Sequence, residues 1–498
     1  MHDMHRRDFV IAAVGGLGLL TADCAPRQRA MHVRHNVYCL NPHGRVIKSY
    51  AKAVTVMQAR PGTDGTSWSA QAAIHGTLAP LAGMIVNKCE HGTRFFFSWH
   101  RMYLYYFERI VRAAAGDPAW ALPYWGYSPT GHRELPVAFR SPANASNSLY
   151  VPQRYDAINA GNPMMPSVVD PGAALPLLAF NSFSGSLEIT PHGVVHGAVD
   201  GWMGGIKRAA QDPIFYLHHA QIDRLWDVWI ALGGGRANPT DAPWLTQSYQ
   251  FYDETGATVT MTGQQVLDDA QQLRYKYAPD VCGDRSGQGD DHEQDKGDER
   301  ADEAQRFDEE SMRRITQRPP EPEALALADS LQRRPARGAA MIAAQSQGPP
   351  PGPVSLGATP ALTPLPISAE ARRVLATFLK DSAAGGRIVL ALEDVRAEAP
   401  VNVFYELYVD LPAGTKAFVY TSPYYLGNLD FFGAVEGPIR RQYDLVPLFR
   451  RLQALGAWAE DTVRLTLVPR GFTEGEDPVQ LLGRRVQAHV GRVELRIE

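Results

Sequence analysis

Seven of the fifteen histidines in this chain sit in three short stretches, and their spacing points to a metal centre. His75, His91 and His100 form the first cluster, the last two within Cys89-Glu-His-Gly-Thr-Arg-Phe-Phe-Phe-Ser-Trp-His-Arg-Met-Tyr-Leu-Tyr-Tyr-Phe-Glu108. The second is Pro191-His-Gly-Val-Val-His196, and the third is Asp212-Pro-Ile-Phe-Tyr-Leu-His-His-Ala-Gln-Ile-Asp-Arg-Leu-Trp226. Four residues apart on a helix, His192 and His196 share a face and can hold one ion. His218 and His219 point about 100° apart, so only one of them can face that ion. His219 is the better candidate, because Asp223 lies one turn further along its face and can orient its imidazole. His100 sits on an aromatic helix with Arg101 and Glu108, which can hold a ligand rigidly. A lone histidine is more often a surface or satisfied core residue, and a single i,i+4 pair is a weak signal. Six at these spacings, with almost no cysteine or carboxylate among them, predict all-imidazole coordination, which suits copper or zinc rather than magnesium or calcium.

The elements that must position these side chains are legible as periodicity. From Trp99 to Val111, spacings of three and four place Leu104, Phe107 and Val111 on one helix face. Asp212-Pro213 opens a second helix, Ile214 to Trp229, with Leu225, Val228 and Trp229 at helical spacing and Gly233 beyond as a stop. Loops rich in Pro, Asn and Ser, such as 141–171, connect the helices, so residues 31–282 are expected to be mainly helical with little sheet. Composition then changes. Residues 283–310 carry 12 acidic and 4 basic side chains with Phe307 as the only large apolar one, and residues 319–366 include Gly-Pro-Pro-Pro-Gly-Pro. Neither segment buries enough to offset its ordering entropy, so 283–366 is expected to be a disordered linker with at most one short helix, around 324–332. From about Ser368 the pattern is β, with runs at 387–393, 403–409, 416–420 and 463–468 and one helix at 445–455. Residues 367–498 are expected to form a small antiparallel sandwich or barrel.

Composition excludes several functions. The 498 residues carry 49 basic and 53 acidic side chains, a net charge of −4, so no overall basic field favours nucleic acid or an anionic membrane. Four cysteines exclude a disulfide-dense scaffold. At the N-terminus, Arg6-Arg7, Phe9 and the apolar run Val10 to Leu20 resemble a twin-arginine export signal, too short to span a bilayer. Residues 1–25 are therefore expected to be a signal for export to the periplasm or beyond. The alternative is an apolar arm on a cytoplasmic protein. Loss of Cys24 with the signal would leave Cys39, Cys89 and Cys282; a Cys39–Cys282 bond is allowed after export but not fixed by spacing.

His91-x4-Phe-Phe-x-Trp-His100-Arg-x2-Leu-x3-Glu108 resembles the first copper motif of tyrosinases, catechol oxidases and molluscan haemocyanins, the coupled binuclear type-3 copper proteins. Asp212-Pro-x-Phe-Tyr-x2-His219-x3-Asp223 resembles their second. The resemblance implies a mainly α domain, a helical bundle holding a dicopper site, followed by an antiparallel β-sandwich. It puts His75, His91 and His100 on one copper ion and His192, His196 and His219 on the other, with His218 packed behind as a non-ligand. Cys89-Glu90-His91 has the spacing at which fungal tyrosinases and molluscan haemocyanins form a cysteine–histidine thioether; a free buried thiol is the alternative. Glu188-Ile-Thr-Pro-His192 resembles plant polyphenol oxidases, whose glutamate holds a water near the metals, so Glu188 is the candidate for phenol deprotonation; a helix-capping carboxylate is the alternative. Asp241–Leu245, Phe251–Glu254 and Tyr275–Tyr277 also follow the plant pattern. So do 387–393, 404–410 and 463–470, which resemble the β-rich domain covering the active site of plant pro-enzymes.

The reaction implied is oxidation of small phenols by dioxygen: o-diphenols to o-quinones and, in tyrosinases, prior ortho-hydroxylation of monophenols. Gly193 stands where many strong monophenolases carry asparagine, which weakens hydroxylation. Ile206 stands where plant catechol oxidases carry a bulky phenylalanine gate, which favours it; Met203 and Gly197 are expected beside it in the pocket. The expectation is diphenol oxidation with weaker monophenol hydroxylation, without nucleic-acid or membrane partners and with oligomeric state open. Catechol oxidation alone, a haemocyanin-like oxygen carrier and a zinc hydrolase are the alternatives. Tyr424, Tyr425, Phe431 and Phe432 are the candidates for an aromatic covering the metals, and core packing is their alternative role.

Overall fold

The computed structural model describes residues 30–280, 282, 353–366, 388–412, 414–457, 462–482 and 488–497. The expected signal and most of the expected linker lie outside these residues. Among the described residues, nine α-helices shape the first part: α1 Arg45–Gln58, α2 Trp68–His75, α3 Phe96–Ala115, α4 Asp156–Ala160, α5 Pro166–Val169, α6 Phe180–Leu187, α7 Val194–Val199, α8 Ile214–Ala231 and α9 Ala242–Thr246. Sheet is confined to two strand pairs, β1 His32–Arg34 with β4 Tyr275–Tyr277 and β2 Ser248–Tyr252 with β3 Thr258–Thr262.

Local chemistry sets the helix ends. The Ser67 side chain accepts from the Ala70 N–H and caps α2, which ends on His75. Gly116, at φ 67°, closes α3 in the left-handed conformation that glycine adopts without penalty. Both predicted helices are present, each extended: 99–111 is part of Phe96–Ala115, and 214–229 is part of Ile214–Ala231. Between α6 and α7 the chain makes a wide turn, Glu188–Gly193, where Thr190 leaves the helical region (φ −131°, ψ 122°). The cause is Pro191, which pushes its predecessor towards extended backbone and supplies no N–H. This break lets α7 start on a new path, with His192 and His196 facing inward.

The C-terminal part holds two four-stranded antiparallel sheets, with two more helices, α10 Val446–Ala454 and α11 Pro478–Leu482. One has the order β10-β7-β12-β5, from Ile439–Asp444, Ile388–Ala397, Ala488–Ile497 and Val354–Leu356. The other has the order β6-β11-β8-β9, from Ala361–Pro366, Thr462–Arg470, Phe404–Val409 and Tyr425–Leu429. Leu390 and Leu392 of the first sheet join one apolar cluster with Leu407, Leu465 and Leu467 of the second.

Two sequence expectations need correction here. Residues 354–356 and 361–366 were assigned to the linker but form β5 and β6, pairing with β12 and β11. Each is an edge strand, where proline's missing donor is tolerated, so the Pro364 and Pro366 composition misled. The run 416–420 is not a strand. The Phe418 carbonyl is held by the Arg470 guanidinium (2.6 Å) instead of a ladder partner.

A Cys39–Cys282 disulfide joins the two ends of the helical part across 243 residues, with Cα atoms 5.1 Å apart. By chain entropy, a closed loop of that length stabilises by on the order of 5 kcal/mol. Replacing both cysteines by serine should therefore lower the calorimetric Tm by roughly 10 °C. An unchanged Tm would mean that the closed loop contributes nothing.

Candidate metal centre

Four segments bring the histidines together: the end of α2 (His75), the loop before α3 (His91) and α3 itself (His100), the α6–α7 junction (His192) and the α7 that follows it (His196), and α8 (His218, His219). All but the partly exposed His91 are buried. Four are oriented by backbone carbonyls: Nδ1 lies 3.0 Å from the Ile206 oxygen in His75, 2.8 Å from Phe96 in His100, 2.9 Å from Glu188 in His192 and 2.9 Å from Met203 in His196. A carbonyl only accepts, so Nδ1 carries the proton and Nε2 carries the lone pair. Burial holds the ring pKa values far below the usual range, with neighbouring imidazoles adding to it in the rings other than His100, and those of His100 and His196 fall to about 3.

Most of the inward nitrogens have no protein partner. Nε2 of His75, His100 and His192, both ring nitrogens of His91 and Nδ1 of His219 are buried without a hydrogen bond, and Nε2 of His196 and His219 approach to 3.2 Å. Buried orphan acceptors are costly, and several converging on one space fit metal ligation. Ligand-type atoms of His75, His100 and His219 lie within 4.8 Å of one another, as do those of His192, His196, His218 and His219, and of His75, Cys89 and His91. The donor set is neutral imidazole with one sulfur nearby, which fits copper better than any hard cation.

His218 differs from its expected place behind the site. Its Nδ1 meets the Tyr127 hydroxyl at 2.9 Å, while its buried Nε2 is unpartnered and shares the space of the second group. Adjacent positions diverge along a helix, but long imidazole side chains can converge again at their tips. Asp223 also differs. It does not orient His219; it accepts from Arg101 Nε at 2.5 Å, the hydroxyls of Tyr275 and Tyr277 at 2.6 and 2.7 Å, and Arg34 at 3.4 Å. A buried carboxylate is held best by charged donors, and the two guanidinium groups keep its pKa low against desolvation. Arg101 follows His100 and Asp223 lies one turn beyond His219, so this ion pair sets α3 against α8.

Glu188 Oε1 accepts the Gly92 N–H at 2.6 Å, next to His91, and burial raises its pKa to about 7. It therefore braces the loop before α3 and does not cap α7. Cys89 is a free thiol whose pKa burial pushes up to about 12. Ile206 and Met203, expected as gate and pocket side chains, hold His75 and His196 through their carbonyls. The Ile206 side chain lies against Gly433.

Aromatic rings dry the site. Phe215 lies 4.2 Å from the His219 ring and 4.8 Å from His75, and Phe96 packs on His100 and His192. Of the four covering candidates, Phe432 meets the histidines. It stacks on His196 at 4.0 Å and is edge-on to His91 and His192 at 5.5 Å. Tyr424, Tyr425 and Phe431 pack in or against the C-terminal core. Phe432 is positioned by residues that carried no signal in the sequence: its N–H donates to Asp430 at 2.9 Å, its carbonyl accepts from Arg441, and Arg441 pairs with Asp430 at 2.7 Å. Arg34 was likewise not singled out, and Phe215 only as a fixed position of the second motif.

Removing one partner of a buried ion pair leaves the other uncompensated, at a cost of about 3–5 kcal/mol. Asp223→Asn should therefore shift the urea unfolding midpoint down by that equivalent, and an unmoved midpoint would show that the pair does not hold α3 to α8.

Residues 65–174 and 177–232 match the family model "Common central domain of tyrosinase", and residues 238–282 match "Polyphenol oxidase middle domain". Tyrosinase HcTyr1 of Hahella sp. (strain CCB-MM4) is 35% identical over 305 residues, covering 50% of this chain and 64% of that protein. The latent form of chloroplastic polyphenol oxidase of Prunus armeniaca is 31% identical over 287 residues, covering 47% and 46%. The chain thus spans about half to two thirds of the length of these relatives. The solved structure of recombinantly expressed latent aurone synthase (polyphenol oxidase) superposes with TM-score 0.63 over 95% of this chain and 90% of that one, at 21% identity, a likeness of fold. Residues 65–174 and 177–232 thus match the central domain of tyrosinase, and residues 238–282 the middle domain of polyphenol oxidase.

Proposed function

We propose that this protein is a copper-dependent phenol oxidase that converts o-diphenols to o-quinones with dioxygen, hydroxylates monophenols more slowly, and is held latent by its C-terminal part. The observation that carries the reading is the convergence of buried, proton-free imidazole nitrogens on one dry space. In this reading, residues 31–282 are the catalytic domain and two copper ions are held by His75, His91 and His100 and by His192, His196 and His219, although His218 lies near enough to compete for the second set. Bound copper supplies the activation of dioxygen and accepts the electrons of the phenol. The chain supplies rigid neutral imidazoles, an aromatic wall of Phe96 and Phe215 that excludes water, and a base.

Glu188 suits the role of base: with a pKa of about 7 it can take a phenolic proton through a water near neutral pH and release it again. Gly193 offers no side chain to assist that step, while Ile206, smaller than phenylalanine, is the gate residue that should admit a phenol more readily. Cys89, whose sulfur lies near His91, is the proposed thioether partner. The two C-terminal sheets are read as the layers of a sandwich that seats Phe432 where a substrate ring would stack on His196, and the segment before them as the linker whose cutting frees the site. Export through the N-terminal segment belongs to the same proposal.

The assay follows directly. Copper-loaded full-length protein should oxidise catechol slowly, and faster after cleavage between residues 283 and 352 or in a Phe432→Ala variant; L-tyrosine without a catechol primer should give product at a lower rate. If L-tyrosine gives none, the enzyme is a catechol oxidase. If catechol is untouched even after cleavage, as with an oxygen carrier or a zinc enzyme, the oxidase reading fails.

A further inference from the structure

We infer that Gly193 and Gly197 are seats for the C-terminal part, so that the residues following the ligands His192 and His196 govern how firmly the site is covered. The two glycines lie four residues apart and form a stripe beside the histidine stripe on the same helical segment. Backbone geometry does not call for glycine at Gly193, whose φ of −65° and ψ of −36° are ordinary helical values. Glycine inside a helix costs about 1 kcal/mol relative to alanine. What requires it is the occupant of the space. A Cβ on Gly193 would stand 2.6 Å from Asp430 Oδ1 and 2.7 Å from its Cγ, and one on Gly197 would stand 3.1 Å from Phe472 Cζ.

Neither occupant can swing away cheaply. Asp430 is 1% exposed and gripped at both oxygens by Arg441, each at 2.7 Å, and by the Phe432 N–H. Phe472 stacks on Phe404 at 5.6 Å, and its carbonyl accepts the Met165 N–H at 2.8 Å while Thr473 bridges to Met164. Asp430 lies two residues before Phe432, so whatever lifts Asp430 from Gly193 also lifts Phe432 from His196. A side chain at position 193 therefore changes the reach of substrate and the fit of the cover together. By contrast, Gly185 on α6 would place a Cβ against nothing within 4 Å.

The inference rests on the proposed latency only in its consequence for turnover, so the test reads the two separately. Hydrogen exchange of residues 425–436 and 471–476 is measured in the uncut, copper-loaded full chain carrying Gly193→Ala, Gly197→Ala or, as control, Gly185→Ala. Overpacking against a fixed partner should speed exchange in 425–436 by about tenfold or more in Gly193→Ala, and exchange in 471–476 by less in Gly197→Ala. The control should leave both segments unchanged. A merely local effect has the opposite sign, since alanine for helical glycine stabilises the helix. Phe472→Leu in the Gly197→Ala background should restore protection. Unchanged or slower exchange in both seat variants overturns the inference. Faster exchange with unchanged catechol turnover would leave the seats standing and remove the latency.

Discussion

Seven imidazoles share a space from which water is excluded, and most of the structure follows from making that tolerable. Each ring must be neutral, and the downward shift of every pKa in the group expresses the cost of a proton there. Neutral imidazole still has one donor to satisfy. In four rings a backbone carbonyl takes it and turns the acceptor inward, so the local paths of 188–193 and 203–206 matter as much as the histidines themselves. The break at Thr190 before Pro191 is part of that arrangement, because it aims two rings from a short segment at the same point. The nitrogens left unsatisfied are the ones a metal ion could take as ligands.

Holding α3 and α8 in register beside these rings calls for strong, directional contacts. The Arg101–Asp223 pair, stacked on Trp226 at 3.9 Å and joined by Arg34 and two tyrosine hydroxyls, supplies them one residue and one turn from the ligands. The C-terminal part reuses the device. Arg441 and Asp430 form a second buried pair, and it fixes the backbone of Phe432 over the histidines.

The clustering histidines were legible because their spacing is local: a four-residue step on a helix, and motifs within twenty residues. The long helices were legible for the same reason, since periodicity is a property of neighbours. Features set by distant partners were not. Asp223 reads as a partner for His219 until Arg34, 189 residues away, is seen beside it. Strands β5 and β6 hide in a proline-rich composition because only their edge position makes proline harmless. Met203 and Ile206 were noticed as side chains, yet they hold histidines through carbonyls that have no signature in sequence. Phe432 was one of four equal candidates until the fold placed it.

The central claim is that these imidazoles form a two-metal site. Metal analysis of purified full-length protein beside the His192→Ala/His196→Ala double variant tests it most directly. The account predicts two copper ions per chain, falling to one or fewer in the variant with the fold retained by circular dichroism. A single zinc ion per chain, or copper content indifferent to the substitutions, would contradict it.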